Sequence, residues 1–319
     1  MIMNISYCRN FLLSPIVALL IIGCDSRQTE ELSSSAAETA PTVEVNAVAE
    51  PPQVEAENSS LVEILAAQEG EVRARYPARH PEQTLEFFGI VPGMTVIEVF
   101  PGGGWYSQIL TSYLGEEATL IGAHYPASLY RKFGMSPESV VNALNRDKDW
   151  PQTMAESAAV SPVANMASAI LTEIPEEYTG QADAIFIVRA LHNLHRYEPE
   201  GQYFSDSVAE MYRVLKPGGV VGVVQHRAPE SNSDEWADGS AGYLKQSRII
   251  AALEAVGFVL EEASEINANP NDQPTEEDVV WRLAPGFGGT EPDTPEREAI
   301  AAIGESDRMT LRFRKPVTP

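Results

Sequence analysis

Cysteine is nearly missing from this 319-residue chain: there are two, Cys8 and Cys24, both near the start. With none after Cys24, the long remainder can hold neither a disulfide nor a thiolate-bound metal. Basic residues are scarce as well. Lys and Arg number 22 against 46 Asp and Glu, a formal net charge of -24. Neutralising phosphates takes clustered Lys and Arg, so nucleic acid is excluded as a partner, as is electrostatic docking on anionic lipid. No Gly-x-Ser-x-Gly elbow follows a strand, which argues against a serine hydrolase. His192, His195 and His226 fall on two separate loops without His-x-x-x-His spacing, so no metal site is expected. Internal repeats are absent. What remains open is a small or neutral substrate, on a chain long enough for one domain with a buried core and extra terminal segments.

The start of the chain carries its own signal. Arg9 precedes an apolar run from Phe11 to Ile22, too short to span a bilayer comfortably and suited to a signal-peptide core, the alternative being an uncleaved membrane anchor with an incidental cysteine. The run ends in Ile21-Ile22-Gly23-Cys24, which resembles the lipobox of bacterial lipoproteins. That resemblance implies cleavage before Cys24, lipidation of Cys24, and membrane attachment through the lipid alone. Asp25 resembles an inner-membrane retention signal, which favours a periplasm-facing place in the cell envelope. Residues 1–23 are thus read as signal and 24–60 as a disordered acidic tether, with Arg27 its only base after Cys24. The tether shows no helical or strand period and too little apolar surface to offset ordering.

Folded pattern begins near Leu61 and is read as one domain, 61–319. Amphipathic helices are predicted over Leu61–Ala67 and from Pro81, which suits a first helical turn. Strands are predicted at Thr95–Phe100, Leu120–Ala123, Asp183–Val188, Val220–Val224 and Phe258–Glu262. Helices are predicted at Trp105–Leu114, Phe204–Leu215 and Ser247–Val256. Such alternation implies a parallel, doubly wound sheet. Arg308–Arg314 alternates Met309, Leu311 and Phe313 with polar residues, the pattern of an antiparallel edge strand with one solvated face. Residues 267–306 form a long loop rich in Pro, Gly and acid, expected to cover part of the substrate side with Trp281 as apolar anchor.

The central stretch is Glu98-Val99-Phe100-Pro101-Gly102-Gly103-Gly104-Trp105-Tyr106. A carboxylate near the end of the first strand, then a Gly-x-Gly turn into a helix, suits an adenosyl cofactor, because glycines let a ligand approach the backbone. A dinucleotide fingerprint would want a third glycine where Ser107 stands. Glu98, this loop, Leu215-Lys216-Pro217-Gly218-Gly219 and Val256-Gly257-Phe258 resemble class I S-adenosylmethionine-dependent methyltransferases. More narrowly, Arg79-His80-Pro81, Pro92-Gly93-Met94, Pro101–Tyr106, Arg189 to His192 and His226-Arg227 resemble a bacterial family of predicted, often exported methyltransferases. The resemblance runs from about Arg79 to Pro316. It implies an α/β, Rossmann-like fold: a seven-stranded, mostly parallel sheet with an antiparallel last strand and S-adenosyl-L-methionine as cofactor.

On that resemblance the cofactor-binding candidates are Glu98, Pro101, Gly102, Gly103, Gly104, Tyr106, His124 and Arg189. Glu98 would accept hydrogen bonds from the methionine amino group. The catalytic candidates are His192, His226 and Arg189, facing a small-molecule acceptor, with His195 a weaker one. Three departures stand out. Phe100 occupies the place of the loop's first glycine. Ala123-His124 closes the second strand where an acid usually clasps the ribose. Asn165-Met166-Ala167-Ser168 offers no acid to an adenine amino group. A second reading, a non-catalytic ligand-binding lipoprotein that keeps the fold, draws on those departures and on the cytoplasmic origin of S-adenosylmethionine. Nothing in the sequence sets an oligomeric state.

Overall fold

The computed structural model of the chain describes residues 60–317. The signal segment 1–23, Cys24 and the rest of the tether before Ser60 lie outside the described residues. Ser60 opens the fold with a reciprocal cap: its Oγ accepts from the Glu63 N–H at 3.3 Å, and the Glu63 carboxylate accepts from the Ser60 N–H at 2.8 Å. Helix α1 (Leu61–Ala67) then buries Leu61, Ile64 and Leu65, the i, i+3, i+4 stripe of a surface helix. Helices α2 (Pro81–Phe87) and α3 (Trp105–Tyr113) follow.

Strands β1 (Thr95–Val99), β2 (Thr119–His124), β3 (Asn165–Ile170), β4 (Ala182–Val188), β5 (Leu215–Ala228), β6 (Val259–Ser264) and β7 (Arg308–Arg314) lie in the order β3-β2-β1-β4-β5-β7-β6. All neighbours are parallel except the two pairings of β7. A two-residue eighth strand, Leu244–Lys245, pairs with the end of β5, so the expected seven-stranded sheet gains a short extension. Along β1, Ile97 and Val99 join one core layer and Val96 the other. Helices cover both faces, which is why the central strands read as nearly unbroken apolar runs.

Two expectations are corrected. Strand β7 is no edge: it runs inside the sheet between β5 and β6. Its polar alternates Arg308 and Thr310 are as buried as Met309, Leu311 and Phe313, because chain from the α2 region covers that face. There Arg312 Nη1 donates to the Phe87 carbonyl at 2.6 Å. The true edge is β6, where Glu261 and Glu262 pair with Arg312 and Arg314, a charged border that discourages edge-to-edge pairing. Segment 267–306 is also more ordered than a loop. It contains a helical turn at Val280–Arg282 and helix α8 (Pro295–Ile303), and Asn267 is pinned to Thr84 and Thr310 at 3.1 Å each. Its apolar anchors are Val280 and Leu283, whereas Trp281 stays 46% exposed.

A 20-residue helix, α4 (Pro137–Glu156), was not foreseen. It buries Val140, Ala143, Asp147, Trp150 and Met154, a 3-4-3-4 stripe laid against β2 and β3. Pro151 lies inside it and has no N–H for the carbonyl four residues back, that of Asp147. Ser168 Oγ of β3 donates to that carbonyl at 2.7 Å. The defect thus ties Asp147 to the sheet. Helices α5 (Leu191–Arg196), α6 (Tyr203–Val214) and α7 (Gln246–Val256) follow, with shorter helical turns elsewhere in the chain.

Candidate cofactor and substrate cleft

Strand order reverses between β1 and β4, so the crevice beyond their C-terminal ends is where an open α/β sheet binds ligands. Each of these strands ends in a non-glycine residue in the left-handed region, Phe100 at φ 54° and Arg189 at φ 55°. Such backbone costs on the order of 1–3 kcal/mol and clusters at binding sites. Both turns are pinned: the Phe100 N–H donates to the Ala123 carbonyl at 2.7 Å and the Arg189 N–H to that of Val224 at 2.6 Å.

Two chambers open there. The first, about 430 Å³, is lined by the glycine turn, the β4–α5 junction and the 280s segment; the second, about 390 Å³, by the glycine turn, the end of β2 and α4. Each falls within the size range of small-molecule sites. They share Phe100, Gly102, Gly103 and Tyr125. The Phe100 ring stacks on Tyr125 with centroids 3.7 Å apart, so the residue in the place of the loop's first glycine forms part of the wall between the chambers. Asn193 Nδ2 donates to the Tyr125 hydroxyl at 2.9 Å. A wider groove of about 590 Å³ lies beside Arg227, but that guanidinium is already taken by Glu265 and Asp307.

Not every candidate meets the cleft. Pro101, Gly102, Gly103, Arg189, His192 and His226 line the first chamber, and His124 the second. Gly104, Glu98 and Tyr106 line neither. Gly104 (φ 74°) begins α3, and a Cβ there would sit 2.6 Å from Met154 Sδ, so it packs the loop onto α4. Tyr106 is buried against Phe186, with its hydroxyl on the Arg79 carbonyl at 3.3 Å. Glu98 is buried beneath the loop and accepts from Ser107 Oγ at 2.7 Å. Burial pushes its carboxyl up to about 7, with the Ser107 bond opposing, so near neutrality much of it is protonated. His195 faces Asp238 and Arg248 instead of the cleft.

In the second chamber the acid that β2 lacks arrives from α4. Asp147 accepts from the Tyr130 hydroxyl at 2.6 Å and lies 3.4 Å from His124 Nδ1. Burial lowers the His124 pKa, with Asp147 opposing. The sequence hid Asp147 because it follows β2 by more than twenty residues, on a helix with a mostly polar surface.

In the first chamber His192 and His226 face each other with ring centroids 5.6 Å apart. Gln225 Nε2 lies on the Gly242 carbonyl at 3.1 Å and on His192 Nδ1 at 3.3 Å. An amide nitrogen only donates, so His192 Nδ1 accepts and the ring carries its proton on Nε2. Burial lowers the His192 pKa to about 4, and burial, then His192 itself, holds that of His226 well below the usual imidazole range. His226 Nδ1 meets Ser306 Oγ at 2.5 Å. Both rings are neutral at pH 7 and are weak bases.

Around Glu305 the charges are opposite to the chain's average. Arg79 Nε and Arg308 Nη1 lie 3.2 Å from its carboxylate, Arg75 Nη1 3.5 Å and Arg189 Nη1 4.0 Å. Burial alone would raise the Glu305 pKa; Arg308, Arg79 and Arg189 outweigh it and hold the carboxyl below its usual range. Among the described residues no cluster of three or more His, Cys, Asp or Glu could hold a metal ion, and no helix is long and apolar enough to cross a membrane.

Parallel strands in the order 3-2-1-4-5, extended by an antiparallel β7 and then β6, with a glycine turn after β1, make this a Rossmann-like α/β fold of the class I methyltransferase type. No protein-family model matches the chain. It is similar to the sterol 24-C-methyltransferase of Yarrowia lipolytica, 26% identical over 217 residues, which cover 64% of this chain and 50% of that protein. The chain therefore spans half the length of that curated relative. Among solved structures it is similar to a SAM-dependent methyltransferase from Aquifex aeolicus (19% identity, TM-score 0.44, covering 66% of this chain and 94% of that one). A geranyl diphosphate C-methyltransferase from Streptomyces coelicolor is also similar (13% identity, TM-score 0.46, 79% and 87%).

Proposed function

We propose that the protein is an S-adenosylmethionine-dependent methyltransferase acting on a small-molecule acceptor, of the bacterial, often exported type its motifs resemble. The observation that carries this reading is the paired chamber at the β1–β4 switch point, joined across Gly102-Gly103. A Cβ at Gly103 would meet nothing within 4 Å, so the turn leaves room for a ligand to lie against the backbone. Asp147, steadied by Tyr130 and His124, supplies the carboxylate for ribose hydroxyls in the second chamber. Gly102 and Gly103 cradle the bridge between chambers, and the first chamber receives the acceptor. When bound, the cofactor supplies an electrophilic methyl group on a sulfonium.

The chain's own contribution is orientation, which can supply much of the acceleration of a two-reactant step. His192 offers an Nε2–H donor, not a base, so it holds an acceptor oxygen in place. His226, fixed by Ser306, borders the same space. Such an arrangement suits acceptors that need no strong base at the moment of transfer. Asp147→Asn should weaken S-adenosylhomocysteine roughly tenfold in calorimetric titration, the loss of a charge-assisted bond. An unchanged affinity would remove Asp147 from the site.

The lipid anchor is part of the same proposal. Cys24 in its Ile-Ile-Gly-Cys setting would tie the domain to the bacterial inner membrane, facing the periplasm. Labelled fatty-acid incorporation lost in Cys24→Ala is the expected result; labelling that persists would refute the anchor.

A further inference from the structure

The acceptor's chemical class is written into the wall of the first chamber. In a chain of net charge -24, the only carboxylate lining this chamber among the described residues is Glu305. It is surrounded by buried Arg79 and Arg308 and by Arg189, whose side chain is 28% exposed at the chamber. With Arg75, which is shared with the exposed Glu71, this one carboxylate faces four guanidinium groups, leaving positive charge in excess beside the chamber. Arg79 and Arg308 are committed: Arg79 chelates Glu305 with Nε and lies 4.7 Å over the Trp105 ring, and Arg308 also holds the Ala78 carbonyl. Arg189 is not. Its nearest carboxylate is at the 4.0 Å limit of an ion pair, and its buried Nε has no hydrogen-bond partner. Burial, then repulsion from Arg79, lowers its pKa to about 10, so it remains charged at neutral pH. A left-handed backbone at Arg189 is retained although a glycine would relieve it.

Beside its polar groups, the chamber wall offers apolar surface from Phe100, Trp105, Val280, Trp281, Leu283 and Pro285. Resting on the methyltransferase reading, we propose that Arg189, backed by Arg79 and Arg308, is an anion site selecting an acceptor that carries a carboxylate or phosphate on an apolar body. Glu305 sets the polarity of the arrangement. It neutralises enough charge for the arginines to be buried together while leaving Arg189 free to pair outward.

Octyl phosphate, octanol and inorganic phosphate, titrated into the full chain with and without saturating S-adenosylhomocysteine, test this. Octyl phosphate should bind at least about tenfold tighter than either of the others, since it alone uses both anion site and apolar wall. Arg189→Gln should remove that advantage over octanol and leave octanol binding unchanged, which also reports an intact chamber; Arg189→Lys should restore part of it. Equal affinity for octanol and octyl phosphate, or no effect of Arg189→Gln, would overturn the anion site. Competition by S-adenosylhomocysteine would overturn its assignment to the acceptor and give Arg189 to the cofactor's own carboxylate. Octyl phosphate binding without any S-adenosylhomocysteine binding would leave the anion site standing and sink the methyltransferase reading instead.

Discussion

Replacing Gly103 by leucine should cost S-adenosylhomocysteine roughly 100-fold in affinity, about 2.7 kcal/mol, with little change in thermal stability. The three adjacent glycines look alike in sequence but differ in the structure. Gly102 sits at φ 59° and Gly104 at φ 74°, so any side chain there strains the backbone. At Gly104 it would also strike Met154, and a variant there should lose stability and binding together. Gly103 lies outside the left-handed region, borders both chambers, and its absent Cβ points into open space. An isobutyl group there takes volume from the ligand and nothing from the fold. Calorimetry and a melting curve on the same sample check both halves. Unchanged affinity with the side chain in place would mean that nothing binds across the turn.

Removing the Glu305 carboxylate should have the largest effect on folding. Glu305→Gln leaves Arg79 and Arg308, both nearly fully buried, facing each other and Arg189 without a counter-charge. Breaking a buried ion pair by removing one partner costs about 3–5 kcal/mol, a large fraction of a domain's total stability. The desolvation penalty of the pair itself is not recovered by the amide, which accepts a hydrogen bond but carries no charge. Millimolar phosphate should raise the melting temperature of Glu305→Gln more than that of the unaltered chain, because an anion binding only the folded state stabilises it by mass action. A variant as stable as the parent would show that the arginine cluster does not depend on Glu305.

Much of this architecture is legible in the sequence, for physical reasons. Strands buried on both faces leave apolar runs, and glycine and Leu-Lys-Pro-Gly-Gly turns punctuate them, so β1, β2, β4 and β5 stand out, as do helices α3 and α6. Arg189 and His192 follow the end of β4 and line the first chamber, whereas His226, expected just after the fifth strand, reaches that chamber from within the longer β5. Strand order is another matter. Periodicity states that Arg308–Arg314 is extended but not which neighbours it takes, so its internal place beside β5 was not readable. Glu98 and Tyr106 show the same limit, because alternation tells that a residue faces one side of a strand or helix, not whether ligand or protein fills that side. The long-range groups were the least visible. Asp147 rides on a polar helix whose only mark is the Ser136-Pro137 start and a thin apolar stripe. Arg79 and Glu305, 226 residues apart in sequence, meet only because β7 inserts between β5 and β6.

If the paired chambers at the switch point are a cofactor and acceptor cleft, calorimetric titration of the full chain with S-adenosylmethionine reads it directly. Saturation at one ligand per chain in the sub-millimolar range, abolished by Gly103→Leu, is the expected result. Absence of any binding at millimolar concentration, by a chain that melts cooperatively, would contradict a cofactor cleft.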